Sequence, residues 1–227
     1  MKKTHQRITR KNRLTGKLFL AALIAGTVLT AYLLWARPHQ LHWGAAGEEI
    51  QQTMPGDELI GDPDYLATRA ITIEGTPEEI WPWLIQMGWG RAGYYGYDLL
   101  ENLASGEGIH SAEQILPEHQ NYRKGDELPI SEFFSLSIAA VEENQYLIWS
   151  SLEGEDPGAF IWALYPRGEN RTRLVSRIGW RYQWEQPGSL PIAVFTEFTD
   201  HLAVRKILQG VKGRVEGEIE PFWRQNL

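Results

Sequence analysis

The chain has no cysteine. That excludes a disulfide framework, a zinc–thiolate site, an iron–sulfur cluster and a cysteine nucleophile. It leaves the redox compartment open, because an absent residue fits either side of a membrane. The sequence also lacks a G-x-S-x-G nucleophile elbow, a P-loop, and a G-x-G-x-x-G placed after a strand. Internal repeats and low-complexity tracts are absent as well. Basic charge is short: Lys+Arg is 22 against Asp+Glu 29, a net of −7 over 227 residues. An acidic balance argues against nucleic acid as the main partner. What the chain does have is apolar and aromatic mass, 43% hydrophobic with 10 Trp, 9 Tyr and 7 Phe, enough to build a core.

The net charge conceals a division. Residues 1–17 carry Lys2, Lys3, Arg7, Arg10, Lys11, Arg13 and Lys17 and no acid, +7; the remainder holds 15 basic and 29 acidic residues, −14. Between the basic tail and the acidic remainder runs LFLAALIAGTVLTAYLLW, residues 18–35, without a charge. Its 18 residues at ~1.5 Å each span ~27 Å, close to the ~30 Å hydrocarbon core of a bilayer. Tyr32 and Trp35 sit at its end, where aromatic belts are found. We read residues 18–36 as a transmembrane signal anchor, with the basic tail in the cytoplasm and the rest of the chain outside it. A cleaved signal peptide is the rival. The run exceeds the roughly 7–15 apolar residues of such peptides, and AYLLWARPH offers no small-x-small cleavage site. Pro38 is expected to end the membrane helix.

Residues 37–66 are a juxtamembrane lead-in, either a linker or a segment packed across the domain; Trp43, Met54, Leu59 and Ile60 favour partial packing. From residue 67 the pattern is that of a compact domain, 67–220. ATRAITIE reads as a first strand. Thr76-Pro77-Glu78-Glu79 reads as a helix start with a capping box, and Ile80, Trp83, Leu84 and Met87 form its apolar stripe. Residues 88–130 are irregular, with short helices expected over 97–103 and 111–115. Strands follow over 133–142, 145–152, 158–165 and 171–184. In the last, Leu174, Ser176, Ile178, Trp180, Tyr182 and Trp184 share one face, and Arg171, Arg173, Val175, Arg177 and Arg181 the other. The Arg face is expected to be solvated or paired with Glu142, Glu143 or Glu153. A long helix over 192–216 shows Phe195, Phe198, Leu202, Leu208, Val211 and Val215 at three- and four-residue steps.

Strand, helix, strands and a long final helix make an α+β order. It is the helix-grip arrangement, a curved antiparallel sheet wrapped around the C-terminal helix. The stretch TRAITIEGTPEEIWPWLIQMGWGRAGYYGYDLLENL, with IxPEHQ at 115–120 and Gly125-Asp126, resembles a bacterial branch of the START-like (SRPBCC) superfamily over roughly residues 43–220. That superfamily includes ligand carriers, lipid-transfer domains and polyketide cyclases. The resemblance implies a cavity between sheet and helix rather than a particular reaction.

The candidate lining follows from these patterns. Trp149, Trp162, Trp180 and Tyr182 point inward from strands, with Phe195, Phe198 and Leu202 facing them from the helix; the plain alternative is that they fill a packed core. Trp89, Arg91, Tyr94 and Tyr95 lie in the Gly-rich segment, at a cavity mouth or as a loop pin in which Arg91 pairs with Asp98 or Glu101. His201 and Arg205 share a helical face, where His201 either handles protons or packs at an apolar edge. His110, Glu118 and His119, and Asp57, Asp62 and Asp64, lack metal-site spacing, while the His39/His42 pair with Glu48 and Glu49 is read as solvated, weak surface binding of a divalent ion being its alternative. No cofactor or metal is expected. The leading expectation is a membrane-anchored module holding a lipid-like or other apolar small molecule. A cyclase- or dehydratase-type enzyme using Tyr94, Tyr95 or His201, and an interaction domain with a filled core, are the alternatives.

Overall fold

The computed structural model describes residues 2–98, 102, 110–131, 134–151 and 158–218, with side chains from Gly16 onward apart from Leu18. The chain divides into two compact units, Met1–Gln40 and Leu41–Leu227.

The first unit is helical. Helix α1 (Lys2–Ala31) passes through a π-helical turn (Tyr32–Ala36) into α2 (Arg37–Leu41). The stretch Phe19–Leu41 is long and apolar enough to cross a membrane, its most apolar 18 residues having a mean hydropathy of 2.0. Its hydroxyls are satisfied within the helix: Thr27 donates to the Leu23 carbonyl at 2.9 Å and Thr30 to that of Gly26 at 2.8 Å. Pro38 does not end the helix as its sequence position suggests. The Arg37 N–H bonds the Tyr32 carbonyl, five residues back, and this widened turn accommodates the proline ring that would collide with a regular one.

The second unit holds a six-stranded antiparallel sheet, β1 (Tyr65–Ile73), β2 (Glu127–Pro129), β3 (Ser135–Glu142), β4 (Tyr146–Ser150), β5 (Gly158–Pro166) and β6 (Thr172–Trp180). Its order is β1-β6-β5-β4-β3-β2, so the first strand pairs with the last. Among the described residues it is joined by α3 (Gly47–Gln51), α4 (Pro77–Ile85) and the long α5 (Ser189–Val215). This is the α+β helix-grip arrangement. The start of α4 is as its sequence implies, with the Glu79 carboxylate accepting the Thr76 N–H at 2.8 Å. Three-residue β2 was not legible in sequence: it is too short to show a period, and its Pro129 is tolerated at the sheet edge.

The sheet is covered on both sides. On one face Ala67, Leu147, Trp162, Leu174 and Ile178 pack against α4 and against Val204, Ile207, Leu208 and Val211 of α5. On the other, Ala70, Ile148, Ile161 and Val175 pack against Met54 and Ile60 of the lead-in. Residues 41–64 are therefore part of the domain rather than a spacer.

The lead-in also corrects the expected pairing of the arginine face. Arg173 binds Glu49 through Nε at 2.7 Å and Nη2 at 2.8 Å. Arg177 reaches Asp57 at 2.7 Å, Thr68 at 3.0 Å, and the carbonyls of Glu49, Ile50 and Gln52 at 2.9, 3.1 and 2.9 Å. Glu142 and Glu143 are exposed hairpin residues, and Glu153 lies outside the described residues. The sheet buries these guanidinium groups because a neighbouring segment brings carboxylates and free carbonyls to them.

Two further expectations are revised. Strand β6 stops at Trp180, because the Tyr182 N–H turns to the Asp64 carboxylate at 2.9 Å instead of continuing the ladder. Residues 111–115 are not helical: the Ser111 hydroxyl and N–H both bond Asp98, at 2.5 and 2.9 Å, instead of capping a helix. The helix expected over 97–103 falls mostly outside the described residues.

Candidate binding site between sheet and helix

The inner face of the sheet is an aromatic wall, and strand register builds it. Trp149 on β4 stands opposite Phe160 on β5, and Trp180 on β6 opposite Tyr65 on β1. Ring centroids lie 5.5 Å apart for Trp149–Trp162, 6.2 Å for Trp149–Phe160, 5.7 Å for Phe160–Trp180 and 4.5 Å for Tyr65–Trp180. The series continues through Tyr182, 6.4 Å from Trp180, to Trp184, 5.1 Å further on. Exposure rises along it, from buried Trp162 and Trp149, through half-buried Trp180 and Tyr182, to Trp184 at 49%. The ladder thus runs from the core to the surface.

Polar atoms are embedded in this wall. The indole N–H groups of Trp149 and Trp162 and the Ser176 hydroxyl are buried and have no hydrogen-bond partner among the described residues, as is the case for the Trp89 indole N–H in the Gly-rich loop. Trp162 and Ser176 are cross-strand partners, with Arg69 next in the same row. Unpartnered buried donors are uncommon and costly, about 1–3 kcal/mol each.

The strands and α5 enclose an ionic cluster as well. The Tyr65 hydroxyl donates to Asp200 at 2.5 Å, Arg69 donates to the same carboxylate oxygen at 2.7 Å, and its other nitrogen donates to the Tyr65 oxygen at 2.8 Å. Arg69 is 1% exposed. Burial opposes its charge, but the Asp200 carboxylate and the Tyr65 oxygen outweigh that and hold it protonated more firmly than usual. Burial, together with the Asp200 charge, pushes the Tyr65 phenol upward, so it stays neutral.

Helix α5 presents a different face from the one its sequence suggested. Its C-terminal half packs through Val204, Ile207, Leu208 and Val211, which fixes the helical phase. Carried back toward the N-terminus, that phase buries Ala193, Glu197 and His201. At about 100° per residue Phe195 falls roughly 200° round from Ala193. Phe195 and Phe198 accordingly face outward, 68% and 45% exposed, and Leu202 is half-buried. The sequence pattern had joined two distinct apolar stripes, one in each half of the helix. His201 is buried inward, while Arg205 is exposed and reaches over the Trp43 ring at 5.1 Å.

The Gly-rich segment is a pinned loop. Tyr94, 6.4 Å from Trp149 in an edge-on contact, donates its hydroxyl proton to the Pro129 carbonyl at 3.0 Å and accepts the Trp89 backbone N–H at 3.0 Å. Tyr95 donates to the Trp83 carbonyl at 3.0 Å and accepts from Gln86 at 2.8 Å. Burial raises its phenol, which keeps it protonated. Arg91 does not pair with Asp98, whose carboxylate is taken by Ser111. Instead it donates to the His119 carbonyl and lies 3.8 Å over the Tyr122 ring. Both tyrosine hydroxyl protons are committed to backbone carbonyls, which suits a scaffold better than proton transfer.

Of the expected lining, the structure gathers Trp149, Trp162, Trp180, Tyr182 and Tyr94 on one wall and brings His201 toward it from α5. It places Arg91 and Tyr95 in the loop pin and turns Phe195 and Phe198 outward. Sequence reasoning missed Tyr65, Arg69, Ser176, Glu197 and Asp200. The available signal was an arginine on the inward phase of a strand, alongside Ala67 and Ile71, and a polar i, i+3, i+4 stripe at 197, 200 and 201.

No family model matches the chain, and no curated protein matches it. Solved structures similar to it include CalC, a self-sacrificing resistance protein from Micromonospora echinospora (13% identity, 69% of this chain and 97% of that one, TM-score 0.41). They also include a polyketide-cyclase-like protein from Corynebacterium glutamicum (13% identity, 67% and 92%, TM-score 0.38) and the Aha1 dimer from Colwellia psychrerythraea (12% identity, 68% and 98%, TM-score 0.34).

Proposed function

We propose that this protein is a membrane-anchored binding module that holds an apolar small molecule bearing neutral oxygen acceptors between the sheet and α5. The observation that carries this reading is the set of buried, unpartnered donors in the aromatic wall: Trp149 and Trp162 Nε1 and the Ser176 hydroxyl. A purely hydrocarbon filling would leave these donors unsatisfied, whereas a carbonyl or hydroxyl oxygen would complete them. A carboxylate or phosphate fits less well, because the one cation of that row, Arg69, already carries Asp200. Anchoring through residues 18–36 would keep the module close to membrane-dissolved ligand.

The test is extraction of the full-length chain, purified in mild detergent, followed by mass spectrometry, with Trp162→Phe and Ser176→Ala alongside. Both variants keep the anchor, so lipid merely surrounding the span is the same in all three. An oxygen-bearing apolar molecule at near-stoichiometric yield in the native chain, and depleted in the variants, is the expected result. If nothing is depleted, the interior is simply a packed core and the binding reading fails.

A further inference from the structure

The outward face of α5 at its N-terminal end is apolar and uncovered. Leu190, Ile192, Val194, Phe195 and Phe198 are 65%, 61%, 38%, 68% and 45% exposed, and Trp184, just before the helix, is 49% exposed. Leu190, Val194, Phe195 and Phe198 line one groove with Pro191, a cluster of large side chains that soluble surfaces seldom leave to water. The face is uncharged. Residues 182–204 contain no Lys or Arg, and of their three acids Glu197 is buried and Asp200 is bound to Arg69, leaving Glu185; Asp64 and Arg181 border Trp184 at the rim. It also adjoins the surface end of the aromatic ladder that leads in from Trp162 through Trp180 and Tyr182.

The geometry points to a lipid bilayer as the occupant of this face: the N-terminal half of α5, with Trp184, inserts shallowly into the headgroup–acyl boundary of the membrane that the chain's own span crosses. This rests on the anchoring proposed above, and three observations favour lipid. The anchor proposed over residues 18–36 is followed by only four residues, 37–40, before the domain unit begins at Leu41, so no long spacer separates the domain from the membrane in sequence. The aromatic and aliphatic side chains are those that partition into a bilayer interface. At roughly half exposure these six side chains offer on the order of 500 Å², short of the ~800 Å² a side that a standard protein interface buries. Docking would also set the mouth of the ladder at the acyl boundary, giving an apolar ligand a dry route between bilayer and core. With Arg181 as the exposed basic residue at its rim beside Trp184, attachment owes little to anionic lipid and largely resists salt.

The absence of cysteine makes the test clean. Phe195→Cys and Phe198→Cys, and Glu143→Cys at the exposed β3–β4 turn as the control, are each labelled with an environment-sensitive fluorophore. The full-length chain is reconstituted at one copy per phosphatidylcholine nanodisc. Labels at 195 and 198 are expected to shift to the blue and to lose emission when lipids spin-labelled near the headgroup are included, at low and high salt alike, while the label at 143 does neither. Labels at 195 and 198 that behave like 143 overturn the proposal. So does a blue shift that appears only at several copies per disc, which would assign the face to a second copy. Retention after a carbonate wash reports anchoring separately. A chain that is retained with its labels in water loses docking alone. A chain that washes off loses the anchoring reading, and the emission recorded before the wash decides docking.

Discussion

Arg69 and Asp200 are 131 positions apart in sequence and share one buried oxygen–nitrogen contact of 2.7 Å. Taking two charges out of water is costly, and their attraction offsets that only while both are present. Arg69→Met should therefore strand Asp200 beside Tyr65 and lower stability by about 3–5 kcal/mol, read as a shift in the urea midpoint of the full-length chain. The double change Arg69→Met with Asp200→Leu should recover most of that loss, since neither charge is left behind; equal loss in both would show that packing, not charge, is what the pair supplies. Glu49 supplies a pH signature on the opposite face. Burial opposes its ionisation, but the hydrogen bond from Arg173 and the Ala46 N–H outweigh burial and hold its carboxyl below the ordinary 4.5. A group titrating lower in the folded chain than in the unfolded one stabilises the fold fully above the unfolded value, and that contribution fades as pH falls through the folded value. Glu49→Gln should thus lower the thermal midpoint at pH 7, and the gap between variant and native chain should narrow below pH 4.5. A gap constant across that range would dissociate Glu49 from the ionic link.

At the scale of elements, the lead-in and α5 show what a local pattern conveys and what it omits. Strand alternation and the α4 capping box were legible because each depends on neighbours within a few residues. The lead-in's role was not, because it is fixed by partners such as Arg173 and Arg177, more than a hundred residues away. The phase of α5 was misread for a related reason: two apolar stripes satisfy helical spacing, and only packing against the sheet selects one. Arg177 ties the lead-in down through Asp57 and three carbonyls, so Arg177→Leu should free residues 41–60 for limited proteolysis while β1–β6 stay protected. Simultaneous loss of both would mean that the lead-in and sheet unfold as one unit. The contact of α5 with the Gly-rich loop is equally close. A Cβ on Gly210 would lie 2.3 Å from the Tyr95 carbonyl oxygen, and Tyr95 itself is held at φ 61°. Gly210→Ala should cost about 1–3 kcal/mol despite alanine's better helix propensity, because neither backbone can yield. Denaturant melts would show it, and an unchanged midpoint would mean that the loop moves freely.

For the whole molecule, the division of charge is the feature that no fold description contains. The sequence reads as a basic tail, an uncharged run and an acidic domain, and the structure adds a domain that buries unpartnered polar groups at Trp149, Trp162 and Ser176. Burial of Glu197, His201, Ser176 and Arg69 depends on strand register and helix phase, both tertiary, so the candidate site was less legible than the fold. Orientation, by contrast, belongs to the sequence. Seven basic residues and no acid precede the apolar run, and positive flanks are retained on the cytoplasmic side. The expected arrangement places the domain outside the cytoplasm. Because the native chain has no cysteine, Glu143→Cys should react with a membrane-impermeant maleimide on intact cells, whereas a cysteine at His5 should react only after the membrane is opened. Replacing the seven tail Lys and Arg by Gln should remove the bias and leave a mixed population, with label at both positions on intact cells. Labelling of position 5 alone in the native tail would invert the orientation. It would put the aromatic ladder on the cytoplasmic side, where the same patch on α5 would face the inner leaflet.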